Sequence, residues 1–302
     1  MSKIVVVLGP TASGKTALAV QLASKFKAEI ISADSRQIYK SMDIGTGKDL
    51  NEYNINNGAI PYHLIDILNP LEDYSVFRFK NDFFKTYKTL INKNKLAILC
   101  GGTGLYVESI LLNYQMPNIS PNKELRERFE KYNLKSLIIH MKKLDKYLYD
   151  PNYHTTKRRA IRAIEIISSK DNLIPETTAC PIDSPLVLGI KVGREVLLKK
   201  IKERLEIRLN SGMIEEVEGL IKSGLTIERL QYFGLEYKFI GQYLFNQFSY
   251  DEMKIKLNYA INRFSKRQMT FFRRMEKRGV KIHWLTSKSM NDSYKFIIQY
   301  LN

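Results

Sequence analysis

The sequence predicts an α/β protein, a parallel sheet flanked by helices and carrying an all-helical insertion. Three observations predict it. Between Lys3 and Gly102, short β-branched apolar runs alternate with helix-spaced segments. The first run, KIVVVLG, leads straight into GPTASGKT. That is Gly-x-x-x-x-Gly-Lys-Thr in the strand-then-helix setting a phosphate-binding loop requires. From Pro121 to Ser169, by contrast, every periodic stretch is helical. The core is therefore expected to be P-loop NTPase-like, spanning residues 1–117 and 186–302, with the insertion at 118–185.

Each element has its own signal. KIVVVLG is apolar throughout, as a strand buried on both faces must be. Thr16 to Phe26 sets Leu18, Ala19, Leu22, Ala23 and Phe26 at helical spacing. AEIISAD predicts a second strand ending at Asp34, HLIDIL a third, and YSVFRFKNDFFKTYKTLINKN a long helix. KLAILCGG is another buried strand, stopped by glycines. In the insertion, NKELRERFEKY, LKSLIIHMKKLDKYLY and HTTKRRAIRAIEIISS each read as a helix. The stretch from Asn172 to Pro185 holds three prolines and reads as a connector. LVLGIKV returns as a strand, and after Glu195 the pattern is helical until KIHWL.

Composition narrows the class. In 302 residues, 44% are hydrophobic and 26% charged, ordinary for a soluble globular chain. The net charge of +17, from 48 Lys and Arg against 31 Asp and Glu, is not ordinary. It points to a polyanionic partner, unless it reflects only a Lys-rich proteome. Cys100 and Cys180 have no metal-ligand spacing, which argues against structural zinc and for a reducing compartment. No apolar run approaches the roughly 20 residues needed to span a bilayer. The N-terminus enters a strand almost at once, so no signal peptide and a cytoplasmic location are expected.

Parallel sheets bind ligands off the carboxyl ends of their strands, where GPTASGKT, SADSRQIY and GGTGLY should converge. In the first, backbone N–H groups would close around phosphate oxygens, Lys15 would add a full charge, and the Thr16 hydroxyl would ligate Mg²⁺. ATPases place an acid at the end of a neighbouring strand to hold that metal. KLAILC ends instead in Gly101-Gly102-Thr103. The strand-end acid is Asp34, among Ser32, Ser35 and Gln37. It could ligate metal, take a proton from an attacking group, or cap a helix over Ser35–Tyr39. Arg204 and Arg208, one helical turn apart, could clamp a leaving diphosphate or pair with Glu203 or Glu206 on the surface.

The positive charge is also organised. KIKLNYAINRFSKRQMTFFRRMEKR interleaves Phe264, Phe271 and Phe272 with nine cationic side chains against the single acid Glu276. Such a helix suits phosphate contact and base stacking. TKRRAIRAIE in the insertion concentrates Lys157, Arg158, Arg159 and Arg162. Two basic clusters favour a folded nucleic acid over proteome bias.

GPTASGKTALA, SADSRQIYKSMDIGTGK, PYHLIDILNPLEDYSVFRF, GGTGLYVESIL, KRRAIRAIE and SKRQMTFFRR, in that order, resemble the tRNA dimethylallyltransferases (isopentenyltransferases) over nearly the whole chain. The resemblance implies transfer of a dimethylallyl group from dimethylallyl diphosphate to the exocyclic amine of the adenosine at tRNA position 37. It also implies Mg²⁺, a monomer, and an insertion that embraces the anticodon stem-loop. By motif, Gly9, Pro10, Thr11, Ala12, Ser13, Gly14, Lys15 and Thr16 hold the diphosphate, with Thr16 on the metal. Asp34 matches the general base, Thr103 a residue near the acceptor base, and Ser35, Arg36 and Gln37 a tRNA-contacting run. Arg126, then Arg158, Arg159 and Arg162, then Lys266, Arg267, Gln268, Arg273 and Arg274 match further tRNA contacts. Lys15 and one of Arg204 and Arg208 would meet the charge of the departing diphosphate.

The chain departs from the family pattern in places. Ser265 precedes Lys266-Arg267-Gln268 where alanine is common, and Phe271 or Phe272 stands for a tryptophan. Gly234-Leu235-Glu236-Tyr237-Lys238 and Thr155-Thr156 also differ. Three alternatives remain on the residues alone: a small-molecule kinase, an isopentenyltransferase acting on free nucleotide, and a non-catalytic RNA-binding protein. The first two leave the basic clusters without a use, and the third leaves the crowded cleft without one.

Overall fold

The computed structural model describes residues 3–55, 58–145, 147, 149–151, 153–169, 182, 184–286 and 290–302, the last segment without the side chains of 290 and 291. The predicted connector at 172–185 falls almost wholly outside these residues, as does Cys180. The chain forms two compact units, Gln115–Thr178 and the remainder, Met1–Tyr114 with Ala179–Asn302. No helix among the described residues is long and apolar enough to cross a membrane.

The larger unit is built on a sheet. Strand β1 (Ile4–Leu8) leads through the glycine-rich loop to helix α1 (Lys15–Phe26) and strand β2 (Glu29–Ser32). A two-residue pair, β3 (Asn54–Ile55) with β4 (Gly58–Ala59), precedes the edge strand β5 (Tyr62–His63). Helix α2 (Val76–Asn92), strand β6 (Ala97–Gly101) and helix α3 (Gly104–Leu111) follow. After the second unit come β7 (Leu186–Ile190), α7 (Arg194–Asn210), α8 (Met213–Lys222), α9 (Ile227–Phe233), α10 (Leu235–Leu244), α11 (Tyr250–Lys277), β8 (Ile282–Leu285) and α12 (Met290–Leu301). The strands lie in the order β5-β2-β6-β1-β7-β8, all parallel.

The β1 run is uniformly apolar because both faces of the sheet are covered. Ile4, Val6 and Leu8 join Phe79, Phe83, Ile201 and Phe272 on one face, while Val5 and Val7 join Leu18, Leu22 and Ile297 on the other. Alternate side chains therefore enter opposite cores, and neither set can be polar. Local signals set the helix starts. Ser75 accepts from Arg78 N at the head of α2, and Ser249 with Glu252 forms a capping box at the head of the 28-residue α11. A cap of this kind is worth about 1 kcal/mol.

HLIDIL departs from its expected form. Only Tyr62–His63 pairs with β2, and Leu64 and Asp66 then adopt positive φ (60° and 55°). The cause lies in Lys48, 1% exposed, whose ammonium reaches Tyr39 O at 2.7 Å, Asp43 Oδ1 at 2.6 Å and the Asp66 carboxylate. A buried ammonium requires such partners, and the bend that brings Asp66 to it ends the strand.

In the smaller unit, helices α4 (Lys123–Glu130), α5 (Leu134–Leu144) and α6 (Lys157–Ser168) enclose Phe129, Leu137, Met141, Ala160, Ile161 and Ile164. α5 is shorter than its pattern suggested, since Asp145 leaves it in an extended conformation. The Glu165 side chain, 1% exposed, is the polar anchor of the unit. It accepts from Arg126 Nε at 2.6 Å, Arg126 Nη2 at 2.9 Å, Arg162 Nη1 at 3.0 Å and Asn122 N at 3.0 Å. Burial alone would raise its pKa, but the bonds from Arg126, Arg162 and Asn122 outweigh that and hold it below the usual carboxylate range. Glu165→Ala should cost about 2 kcal/mol, below the ~3–5 of a fully buried pair because both arginines keep some solvent. Hydrogen exchange over residues 123–168 measures this. Because the folded pKa is depressed, the stabilisation is present above the unfolded value. It should fade as pH falls through the lower folded one.

Candidate active site

The β1–α1 loop has the geometry of an anion cradle. Ala12 (φ 61°) and Gly14 (φ 85°) turn the chain, and Gly14 is the N-cap of α1. A Cβ on Gly9 would lie 2.6 Å from Ser13 Oγ, so any side chain there would displace the hydroxyl inside the loop. Ser13 Oγ is buried and has no hydrogen-bond partner among the described residues. An unpartnered buried hydroxyl inside such a loop is the group a bound phosphate oxygen would satisfy. Lys15, the first residue of α1, has its pKa lowered by burial. The Cys100 thiol and Asp34 oppose that, and Arg204 and Arg208 add to it. Cys100 is no competitor as an anion, since burial pushes its own pKa up to about 12.

The exits of β2 and β6 are locked to each other. Ala33 N donates to Cys100 O (2.7 Å) and Thr103 N to Ala33 O (3.2 Å). Gly101 permits this approach, since a Cβ there would lie 2.2 Å from Ala33 O. Thr103 Oγ1 then accepts from Ser35 N at 3.0 Å and donates to Ser35 Oγ at 3.3 Å. Asp34, held between these bonds, accepts from Arg36 N at 3.0 Å through Oδ1. The residues after it form turns rather than a helix, so the capping reading of Asp34 does not apply. Gln37 is engaged inward, accepting from Ser32 Oγ at 3.0 Å and donating to Gly47 O at 2.9 Å.

Helix α7 presents its two arginines to the same place. Arg204 donates to Thr11 Oγ1 in the loop. Burial and then the neighbouring Arg208 lower its pKa to about 10. Arg208 passes over Gly47 (φ 64°), where a Cβ would sit 1.8 Å from Nη2, and reaches Asp49 Oδ2 at 3.2 Å. The surface glutamates do not take these arginines: Glu203 pairs with Lys199 and Glu206 with Lys254.

Lys15, Asp34, Ser35, Arg36, Thr103, Arg204 and Arg208 thus line one cleft of about 390 Å³. The apolar side chains of Phe233, Leu235, Ile261, Phe264 and Phe271 line the same cleft. Glu236 lines it too, with a pKa raised by burial and restrained by Arg208 and Arg204. Sequence reasoning singled out Phe264 and Phe271 but passed over Phe233, and it noted Glu236 only within the departure at 234–238. The signal was Gly234, whose φ of 130° and ψ of −165° turn the chain into α10 just ahead of the glutamate.

The tRNA-contact expectations separate into two groups. Lys266, Arg267 and Arg273 are exposed on α11 and form no ion pair among the described residues, and Arg267 also borders the cleft. Arg274 is engaged with Glu108 (2.7 Å) and lies over the Phe271 ring. Gln268 departs from the expectation: it is 7% exposed and its amide points inward. Its oxygen accepts from Thr11 N at 2.9 Å and its nitrogen donates to Gly102 O at 2.9 Å. In the smaller unit, Arg158 and Arg159 are exposed, while Arg126 and Arg162 serve Glu165.

Among the described residues no group of three His, Cys, Asp or Glu side chains gathers to hold a metal. The donors present, the Thr16 hydroxyl beside a loop with the orphaned Ser13 Oγ, fit a Mg²⁺ carried chiefly by phosphate oxygens and water.

Comparison with known proteins agrees with this geometry. The family model described as IPP transferase matches residues 37–275, and that described as isopentenyl transferase matches residues 2–56. The chain is 47% identical to tRNA dimethylallyltransferase 1 of Parabacteroides distasonis, covering 94% of this chain and 92% of that one. It is 46% identical to tRNA dimethylallyltransferase 2 of Bacteroides fragilis, covering 99% and 97%. The crystal structure of the tRNA isopentenylpyrophosphate transferase of Bacillus halodurans superposes with a TM-score of 0.72 at 30% identity, covering 99% and 96%. With its phosphate loop, its strand-end carboxylate and its basic α11 in this arrangement, the chain belongs to the IPP transferase family.

Proposed function

We propose that the protein transfers a dimethylallyl group from dimethylallyl diphosphate to the exocyclic amine of the adenosine at tRNA position 37, releasing diphosphate. One observation carries the reading. One cleft brings together the cationic groups of Lys15, Arg204 and Arg208, a set of apolar and aromatic side chains, and the Asp34 carboxylate. A charged head, a hydrocarbon tail and a flat base need those three surroundings.

The residues divide the chemistry. An adenine amine is a weak nucleophile, its lone pair drawn into the ring, and it lies inside an anticodon loop until the base is splayed out. Phe264 and Phe271 offer faces on which such a base can stack. Asp34 orients the amine, and accepts its proton as the N–C bond to the allylic carbon forms. The C–O bond to diphosphate breaks in the same displacement, with allylic-cation character at the carbon. Loop amides, Lys15 and Arg204 meet the charge gathering on the leaving oxygen. Mg²⁺, held by the Thr16 hydroxyl together with the diphosphate, would neutralise part of that charge. Thr103 acts through Ser35, keeping the Asp34 turn in place. No phosphoryl group moves, so no strand-end acid is required on β6.

The exposed cations of α11 favour RNA over free nucleotide as acceptor. Labelled dimethylallyl diphosphate offered with tRNA, with AMP or with no acceptor tests this. Label should enter tRNA alone; label in AMP would overturn the choice. Asp34→Ala should lower kcat at least about 100-fold with tRNA affinity unchanged, and a loss of only a few-fold would remove Asp34 as the base. Replacing Lys266 and Arg267 together by Ala should weaken tRNA binding and flatten the log K against log[salt] slope by about 1–2. An unchanged slope would take this face of α11 out of the interface.

A further inference from the structure

We infer that Gln268 is a positioning residue for the donor site: it holds the phosphate loop in register from the helix that carries the basic face. The inference rests on the reading of that loop as a diphosphate site. Gln268 sits on α11, far in sequence from both groups it joins. Its Oε1 accepts from Thr11 N, just after β1, and its Nε2 donates to Gly102 O, just after β6, each at 2.9 Å. Those strands are parallel neighbours, so one side-chain amide bridges two adjacent strand exits.

Three features mark the bridge as built rather than incidental. A carboxamide offers an acceptor and a donor side by side, and both neighbours here demand that order. Gly102 is cut to it, since a Cβ there would lie 2.5 Å from Gln268 Nε2 and 3.5 Å from Lys15 Cε. Thr11 is held at both ends, its N–H by Gln268 and its hydroxyl by Arg204. The Thr11 amide is thereby committed, and the anion must be met by the loop amides further along and by Lys15. A loop fixed beforehand binds without an ordering cost. Losing Gln268 would leave the Thr11 N–H and the Gly102 carbonyl without these partners and let the loop wander.

Binding of inorganic diphosphate with Mg²⁺, measured by calorimetry, tests this without turnover. Gln268→Ala should weaken diphosphate binding and raise KM for dimethylallyl diphosphate roughly tenfold, the effect of about one lost hydrogen-bond pair. At saturating donor, kcat and tRNA affinity should change less than about threefold. Gln268→Glu provides a control that keeps size and shape. As a carboxylate it sets an acceptor against Gly102 O and should bind diphosphate poorly. As pH falls and it becomes a carboxylic acid, it regains a donor, and its affinity should approach that of the wild type. Lys15, Asp34, Arg36, Arg204, Arg208, Glu236 and Arg267 line the cleft in both proteins, so the ratio to wild type at each pH isolates the change.

Two results overturn the inference alone: a Gln268→Ala protein that binds diphosphate as the wild type does, or one that loses tRNA affinity while keeping donor affinity. A Gln268→Glu protein with no pH-dependent recovery also counts against it. Wild-type protein that binds no diphosphate would overturn the function and the inference together.

Discussion

The constraint beneath the whole site is the parallel pairing of β1 with β6 and of β6 with β2. Parallel neighbours end at the same edge of the sheet, so the loops after all three strands must meet there. Three points of contact turn that edge into a site. Ala33 N bonds to Cys100 O, Thr103 to Ser35, and the Gln268 amide to both Thr11 and Gly102. Glycines at 101 and 102 are the cost of bringing the strand exits so close. Everything chemical in the cleft is carried on a backbone settled by these contacts.

The second constraint is electrostatic. Lys15, Arg204 and Arg208 share the cleft, and burial, then mutual proximity, push the first two pKa values down. Asp34 and Glu236 offset this in part, which is why the arrangement is tolerable in the free protein. A diphosphate bound as proposed would offset it further, drawing affinity from relief of that crowding as well as from hydrogen bonds. The same logic, on a smaller scale, shapes the helical unit. There Arg126 and Arg162 gather on Glu165, while Arg158 and Arg159 stay exposed and apart from it.

Much of this was legible in the sequence, and the limits have physical causes. GPTASGKT, SADSRQ and GGTGLY could be read because each is local: a strand, a turn and a functional side chain within a few residues. Arg204 and Arg208 could be paired from helical spacing, though not assigned a direction, since that depended on Gly47 and Thr11 far away in sequence. HLIDIL looked like a strand because its apolar pattern fits one, and the buried Lys48, 18 residues before Asp66, decided otherwise. Gln268 sits among basic residues that face outward, and helical phase alone turns its amide to the inside. Arg126 and Arg162 read as free cations because their partner, Glu165, belongs to a different helix from one of them and is buried beneath both. Residues whose role is set by a distant partner are the ones a linear reading misplaces.

In the proposed reaction the phosphate loop holds a diphosphate that leaves intact, rather than a phosphoryl donor. Dimethylallyl diphosphate carrying carbon label in the prenyl group and phosphorus label in the diphosphate tests it directly. With tRNA as acceptor and no diphosphatase present, one intact diphosphate should be released for each prenyl group found in RNA, with no ATP consumed. Phosphorus label in the RNA, or release as orthophosphate in step with turnover, would contradict it.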